Sequence, residues 1–95
     1  MNIRNMKLSL TVDLLNLPSS QSPLFSIRRA MNKFEGETGG FKGLFRKNKS
    51  AVAEGFESQT IAFRFEKCTL DLELITDKFS HQQIVQGFNF TEHQS

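Results

Sequence analysis

The chain has no tryptophan and no tyrosine, and Cys68 is its only cysteine. A single cysteine excludes an intrachain disulfide and any metal site built from several thiolates. No apolar run approaches the roughly 20 residues that span a bilayer, and the first residues lack the apolar centre of a signal peptide. We therefore expect a cytoplasmic protein with a reduced thiol and no membrane partner.

Phenylalanine supplies all of the aromatic surface, with ten copies. Because its side chain has no polar group that needs a partner when buried, most of these rings are expected in the core. The chain has 95 residues, of which 38% are hydrophobic and 23% charged, which is ordinary for a globular protein. We expect one packed domain over residues 1–95.

The charge is small in sum but uneven along the chain. The formal net charge is +2, yet residues 28–49 hold seven basic and two acidic residues, a local balance of +5. The remainder of the chain carries −3. This asymmetry predicts one surface that prefers an anionic partner.

The first segment is apolar at every second position, at Met6, Leu8, Leu10 and Val12. Alternation with period two is typical of a strand with one buried and one solvent-facing side. We therefore predict a strand over residues 6–12. Pro18 and the polar residues after it then predict a loop.

A helix is predicted over residues 23–35. Ser22 can cap its start, and Pro23 suits the first helical position, where the missing N–H has no partner to lose. Gly36 is the predicted stop, since glycine readily takes the left-handed conformation just past a helix end. One apolar stripe follows at spacings of three and four: Leu24, Ile27, Met31 and Phe34.

Residues 36–58 hold five of the six glycines together with four basic residues. The pattern predicts a mobile basic loop, or a short helical turn that Phe41, Leu44 and Phe45 pin to the core. Glycines there expose backbone N–H groups and phenylalanines can stack on bases, so this segment is the main functional lead. Its spacing does not match a phosphate-binding loop.

Two further segments predict a hairpin with Glu66 and Lys67 at its turn. Apolar residues stand at odd positions over 61–65 and at even positions over 68–74. A two-residue turn places them all on one face, with residue 63 opposite 70 and residue 61 opposite 72. Glu-Lys suits such a turn poorly, so a four-residue loop or a bulged continuous strand remains open.

Residues 80–90 fit either a short helix or a strand. Ser80 with Gln83 resembles a capping box, whereas Ile84, Phe88 and Phe90 at even positions favour a strand kinked at Gly87. We favour the strand, because so short a helix has little cooperative support. Residues 91–95 are predicted to form a loose polar tail.

No catalytic or metal-binding arrangement emerges. His81 and His93 lie on separate segments without a neighbouring ligand, so neither a metal nor a cofactor is expected. Asp71 and Glu73 share a strand face, where the predicted role of Asp71 is an ion pair with Arg64. Cys68 is expected to be buried and inert. We therefore do not expect an enzyme.

The elements together predict an α+β fold. The expected arrangement is a small two-layer sandwich, in which one main helix packs on an antiparallel sheet of three or four strands. The helix stripe would meet the apolar residues of the strands, including Leu8 and Leu10. Exposed sheet edges leave a homodimer possible.

The first functional hypothesis is a non-catalytic binding protein that contacts nucleic acid, a ribonucleoprotein or an acidic protein surface. It requires the cations to lie together and free of acidic neighbours. The alternative is a protein-protein inhibitor or adaptor, such as a phage, mobile-element or immunity-type factor, acting through a sheet edge or a dimer surface. A small enzyme is the third hypothesis. The predicted partner-binding residues are Arg28, Arg29, Lys33, Phe41, Lys42, Phe45, Arg46, Lys47 and Lys49.

Overall fold

A computed structural model describes residues 2–17 and 22–93. The loop predicted after Leu17 and the last two residues of the predicted tail lie outside the described residues. Three α-helices precede the strands: α1 (Ile3–Leu15), α2 (Pro23–Met31) and, after a 3-10 turn (Asn32–Phe34), the single-turn α3 (Glu35–Thr38). Four strands follow: β1 (Phe41–Ala53), β2 (Phe56–Phe65), β3 (Cys68–Asp77) and β4 (Gln83–Glu92).

The four strands form one antiparallel sheet in the order β1-β2-β3-β4. Helices α1 and α2 lie on one face of this sheet, which confirms the α+β class. Two helices share the layer for which the sequence predicted one main helix. The buried apolar core joins the layers: Met6, Leu10, Ile27, Met31, Ile61, Phe63, Phe65, Cys68, Leu70, Leu72, Leu74 and Phe90.

The predicted hairpin is confirmed in its register. Phe63 lies opposite Leu70, and Ile61 lies opposite Leu72. Strand β2 ends at residue 65 and β3 begins at residue 68, so two residues connect them. Neither has a positive φ, which means that the turn is made without the backbone conformation that Glu and Lys disfavour.

The strand predicted over residues 6–12 is wrong, because this segment lies in α1. Residues two apart on a helix point about 200° apart, so period-two spacing places alternate side chains on opposite sides of the helix. Met6 and Leu10 are 0% and 1% exposed, whereas Leu8 and Val12 are 59% and 55% exposed. The Asn2 side chain caps the helix by accepting a hydrogen bond from the backbone N–H of residue 5 at 3.1 Å.

The second helix begins as predicted, with Pro23 in its first turn. Its predicted end at Gly36 is wrong, since the 3-10 turn and α3 carry helical backbone through Thr38. Gly39 ends it with φ 78° and ψ −169°, a region that is essentially limited to glycine. A Cβ at this position would lie 2.7 Å from the Cβ of Glu66. The chain reverses here in a space too small for a side chain.

The loop predicted over residues 36–58 is wrong, because most of this segment is β1 and the start of β2. Two of its glycines adopt positive φ values at irregular points of the strands. Gly43, with φ 137°, lies at a β-bulge, and Gly55, with φ 82°, lies in the β1–β2 turn. Register shifts after Phe41, Arg46 and Ala51 interrupt the alternation of side chains. Because each bulge inserts an extra residue, the sequence of this strand shows no regular period-two alternation.

The last segment is a strand, as favoured from the sequence. Strand β4 pairs with β3, and Phe90 lies opposite Leu70 in the core. The register shifts between the Gly87 and Val85 pairs, which places a bulge at the predicted kink. Thr91 and Glu92 belong to β4, so the predicted loose tail is wrong for these two residues.

Candidate functional site

The structure divides the nine predicted partner-binding residues between α2 with its 3-10 turn and β1. Arg28 joins the two groups, since its guanidinium carbon lies 4.0 Å from the centroid of the Phe41 ring. Arg29 and Lys33 lie instead on the side of α2 that faces α1, where Lys33 Nζ is 3.4 Å from Asp13 Oδ2. One continuous basic face over residues 28–49 is therefore not present.

The residues of β1 point to both faces of the sheet. Arg46 and Lys49 lie opposite Ile61 and Gln59, on the face that carries the helices. Phe41 is half-buried there, with its ring centroid 5.5 Å from that of Phe65. Phe41 thus packs against the core.

Phe45 points to the open face of the sheet, opposite Ala62. Its side chain is 48% exposed, and the guanidinium carbon of Arg64 lies 5.1 Å from its ring centroid. This contact is a cation–π interaction at an exposed site, of about 0.5–1 kcal/mol. It places a charged neighbour over one face of the half-exposed Phe45 ring.

Three lysines of β1 are paired with acidic neighbours, contrary to the requirement of the first hypothesis. The Nζ atoms of Lys42, Lys47 and Lys49 lie 3.6, 3.0 and 3.2 Å from carboxylate oxygens. Their partners are Glu66, Asp71 and Glu57, respectively. The predicted pairing of Asp71 with Arg64 is wrong, because Lys47 at a bulge of β1 reaches this carboxylate instead.

The arginines differ from the lysines in this respect. Within the described residues neither Arg28 nor Arg46 has a carboxylate partner, although Arg28 donates a hydrogen bond to the side chain of Asn32. The two lie near the same edge, Arg28 above the start of β1 and Arg46 in its middle. An unpaired guanidinium can bind a carboxylate through two parallel hydrogen bonds.

We define the basic edge as Arg28, Lys42, Arg46, Lys47 and Lys49. Strand β1 is the outermost strand on this side, so one row of its backbone N–H and C=O groups has no strand partner in the described part of the chain. Its thirteen residues include four cations and no acid. The basic edge therefore combines free backbone hydrogen-bonding groups with positive charge.

Among the residues considered for chemistry, Asp71 contacts this edge through Lys47. Both histidines are exposed, and His93 Nε2 is 2.6 Å from the hydroxyl of Thr69. No group of three metal-binding side chains occurs among the residues described. Asp71 and Glu73 share the open face of the sheet, but Lys47 engages the first of them.

Cys68 is fully buried, as predicted, and burial raises the pKa of its thiol. We expect Ellman's reagent to react slowly with the native protein and rapidly in concentrated urea, because only a thiolate in contact with solvent attacks it. Since the folded pKa exceeds the unfolded value, this thiol's contribution to stability is intact below about pH 9 and falls above it. Fast reaction of the native protein would contradict the burial.

Sequence reasoning missed an apolar surface on α1. Leu8, Val12 and Leu15 are 59%, 55% and 80% exposed and lie on the side of the helix opposite the core. We call these three residues the outer stripe. Their spacing of four and three was a helical signal in the sequence, but it was hidden by the even-numbered alternation of the same segment.

An apolar groove of about 510 Å³ adjoins the outer stripe. It lies between the C-terminal end of α1 and β4, and Leu15 belongs to both the stripe and the groove. None of the lining residues that the structure describes is charged. The lining residues are Thr11, Leu14, Leu15, Leu17, Gln82, Gln83, Ile84, Val85, Gln86, Gly87 and Phe88.

The fold and its surfaces define a small α+β protein with a basic strand edge and a separate apolar helix face. No protein-family model matches the chain, and no curated protein or solved structure matches it. Among the helices described, none is long and apolar enough to cross a membrane. Any functional conclusion therefore depends on the surfaces themselves.

Proposed function

We propose that this chain is a non-catalytic binding protein that takes an extended acidic polypeptide segment along β1. The observation that carries the proposal is the composition of this edge strand, which has four cations and no acid in thirteen residues. Exposed strand edges bind extended segments by adding them as a further strand, with main-chain hydrogen bonds for affinity. The protein would act as an adaptor or an inhibitor of its partner.

The charge of β1 favours an acidic segment over a second copy of the same strand. Two β1 strands side by side would bring lysine and arginine side chains together, and like charges opposite each other destabilise a sheet. An acidic strand would place carboxylates there instead. The bulges at residues 42, 47 and 52 twist the edge and divide it into short stretches, so a short flexible segment fits it better than a second strand of thirteen residues.

The existing ion pairs of the lysines are compatible with this partner. The three lysine side chains are 47–59% exposed, whereas those of Asp71 and Glu57 are 20% exposed, and only a pair exposed on both sides contributes as little as about 0–1 kcal/mol. A carboxylate of the partner can share an exposed lysine while the pair within the chain stays in place. Arg28 and Arg46 need no such exchange, and they supply the charge that distinguishes an acidic segment from a neutral one.

A peptide titration tests the proposal. A fluorescent peptide that alternates Glu with Val should bind at low salt, and the same peptide with Gln in place of Glu should bind far more weakly. Arg46→Glu should weaken the acidic peptide about tenfold or more, because it replaces an attraction by a repulsion at the middle of the edge. Fluorescence anisotropy measures each affinity.

Lys7→Glu is the matched control, since it makes the same change of charge at an exposed position of α1. Measured at the same salt as Arg46→Glu, it should change the peptide affinity far less, because residue 7 lies on α1 and not on the edge strand. Single- and double-stranded oligonucleotides at two salt concentrations give the competing result. Oligonucleotide binding with a steep salt dependence, without peptide binding, would make the partner a nucleic acid. Binding of neither would refute the proposal.

A further inference from the structure

The outer stripe makes α1 a helix with two apolar sides. One side, with Met6 and Leu10, is buried against the sheet and α2, and the other side, with Leu8, Val12 and Leu15, faces away from the core. A surface helix of a folded protein ordinarily carries polar residues on its outward face. A row of three exposed aliphatic side chains on one helix, joined to an apolar groove, is typical of an interaction surface.

We propose that this surface binds a second copy of the same chain, with the two α1 helices antiparallel. The spacing of the outer stripe suits this arrangement. In antiparallel pairing, Val12 lies beside the partner's Val12 near the two-fold axis, and Leu8 lies beside the partner's Leu15. Each apolar side chain then meets an apolar side chain, as a self-complementary interface around a two-fold axis requires.

The charges of α1 favour the same arrangement. The helix has no acidic residue in its first turn and no basic residue in its last turn, so its own sequence compensates neither end of the helix dipole. Antiparallel pairing brings Lys7 of one copy level with the C-terminal end of the other α1, where the carbonyl groups carry partial negative charge. Parallel pairing would instead place Arg4 beside the partner's Arg4.

The groove extends the surface beyond the three side chains of the stripe. A stable dimer buries on the order of 800 Å² on each partner, which three side chains alone do not supply. Leu15 connects the stripe to Ile84, Val85 and Phe88, and none of the groove's lining residues is charged. On the β4 side of α1 the second copy therefore covers a groove whose described lining is uncharged.

Sedimentation velocity on the full chain tests the proposal. We expect a reversible dimer with a dissociation constant between about 1 µM and about 1 mM. Val12→Lys should raise this constant at least about tenfold, because it places two ammonium groups at the two-fold axis. Val52→Lys is the matched control, because Val52 on β1 is 56% exposed against 55% for Val12. It should leave the dimer unchanged, and circular dichroism should show that both variants fold.

A cross-linking experiment gives a second, direct test. Since Cys68 is buried, Val12→Cys provides the one accessible thiol in the described part of the chain. Mild oxidation should join two copies through residue 12, whereas Val52→Cys should remain mostly uncrosslinked. A chain that stays monomeric over the whole concentration range, or a dimer that Val52→Lys disrupts and Val12→Lys does not, would overturn the proposal. Failure here would leave the peptide binding at β1 untouched, because the two surfaces share no residue.

Discussion

Phe63→Ala should cost about 3–5 kcal/mol of the free energy of unfolding, the range found for removing a buried phenylalanine ring. Phe63 has no exposed surface and sits in the second strand, directly opposite Leu70. Its ring centroid is 6.5 Å from that of Phe41, so it connects the central strands with the basic edge. A domain of this size is stable by about 5–15 kcal/mol, so the variant should be marginally folded. Urea unfolding followed by circular dichroism measures the loss.

Phe79→Ala is the matched control for this prediction. Phe79 lies in the β3–β4 turn and is 84% exposed, so removing the same ring there should change stability by less than about 1 kcal/mol. Similar losses for Phe63→Ala and Phe79→Ala would contradict the described core.

Gly39→Ala should destabilise the protein by about 2–4 kcal/mol, from strain at a glycine-only backbone conformation together with a steric clash. The new Cβ would lie 2.7 Å from the Cβ of Glu66. Two backbone hydrogen bonds fix the chain at this point. The N–H of Lys67 donates to Thr38 O at 2.9 Å, and the N–H of Glu66 donates to Gly40 O at 3.0 Å. Relief by movement would therefore break the junction between α3 and β1.

Gly36→Ala is the informative comparison, because the sequence alone made Gly36 the helix stop. In the structure it lies within α3 and nothing stands within 4 Å of an added Cβ. Alanine is the better helix former by about 0.5–1 kcal/mol, so this variant should be as stable as the natural chain or more so. Thermal unfolding of both variants checks the pair. A larger loss for Gly36→Ala would mean that the helix ends where the sequence predicted.

The central hairpin was predictable because both of its signals are local. Alternation over residues 61–65 and 68–74 specifies one buried face, and the change of parity at residues 66 and 67 specifies the register. The start of α2 was equally readable from Pro23 and its apolar stripe. In both elements the sequence pattern is compatible with a single structure, and the prediction was correct.

The segment of α1 failed because its pattern has two solutions. An apolar residue at every second position fits a strand with one buried face, and it fits a helix with two apolar faces. The second solution leaves an apolar outer face, and the alternation alone does not distinguish it from a strand. The error and the proposed dimer thus have the same physical origin in Leu8, Val12 and Leu15.

The candidate site was predictable in composition but not in geometry. The sequence placed Lys42, Arg46, Lys47 and Lys49 in one segment, yet bulges decide which of them faces which side of the sheet. Their acidic neighbours come from β2, β3 and the turn between these strands, at separations of eight to 24 residues along the chain. Such pairing depends on strand register, which local sequence patterns around β1 do not contain.

Amide hydrogen exchange measured by NMR, with and without the Glu-Val peptide, tests the role of β1 most directly. Addition of the acidic strand should slow exchange at the outward-facing amides of residues 41–53, because they would gain hydrogen-bond partners. The amides of β4 should exchange as before. Protection confined to β4 or α1, or no change in β1 at saturating peptide, would show that the basic edge is not the binding surface.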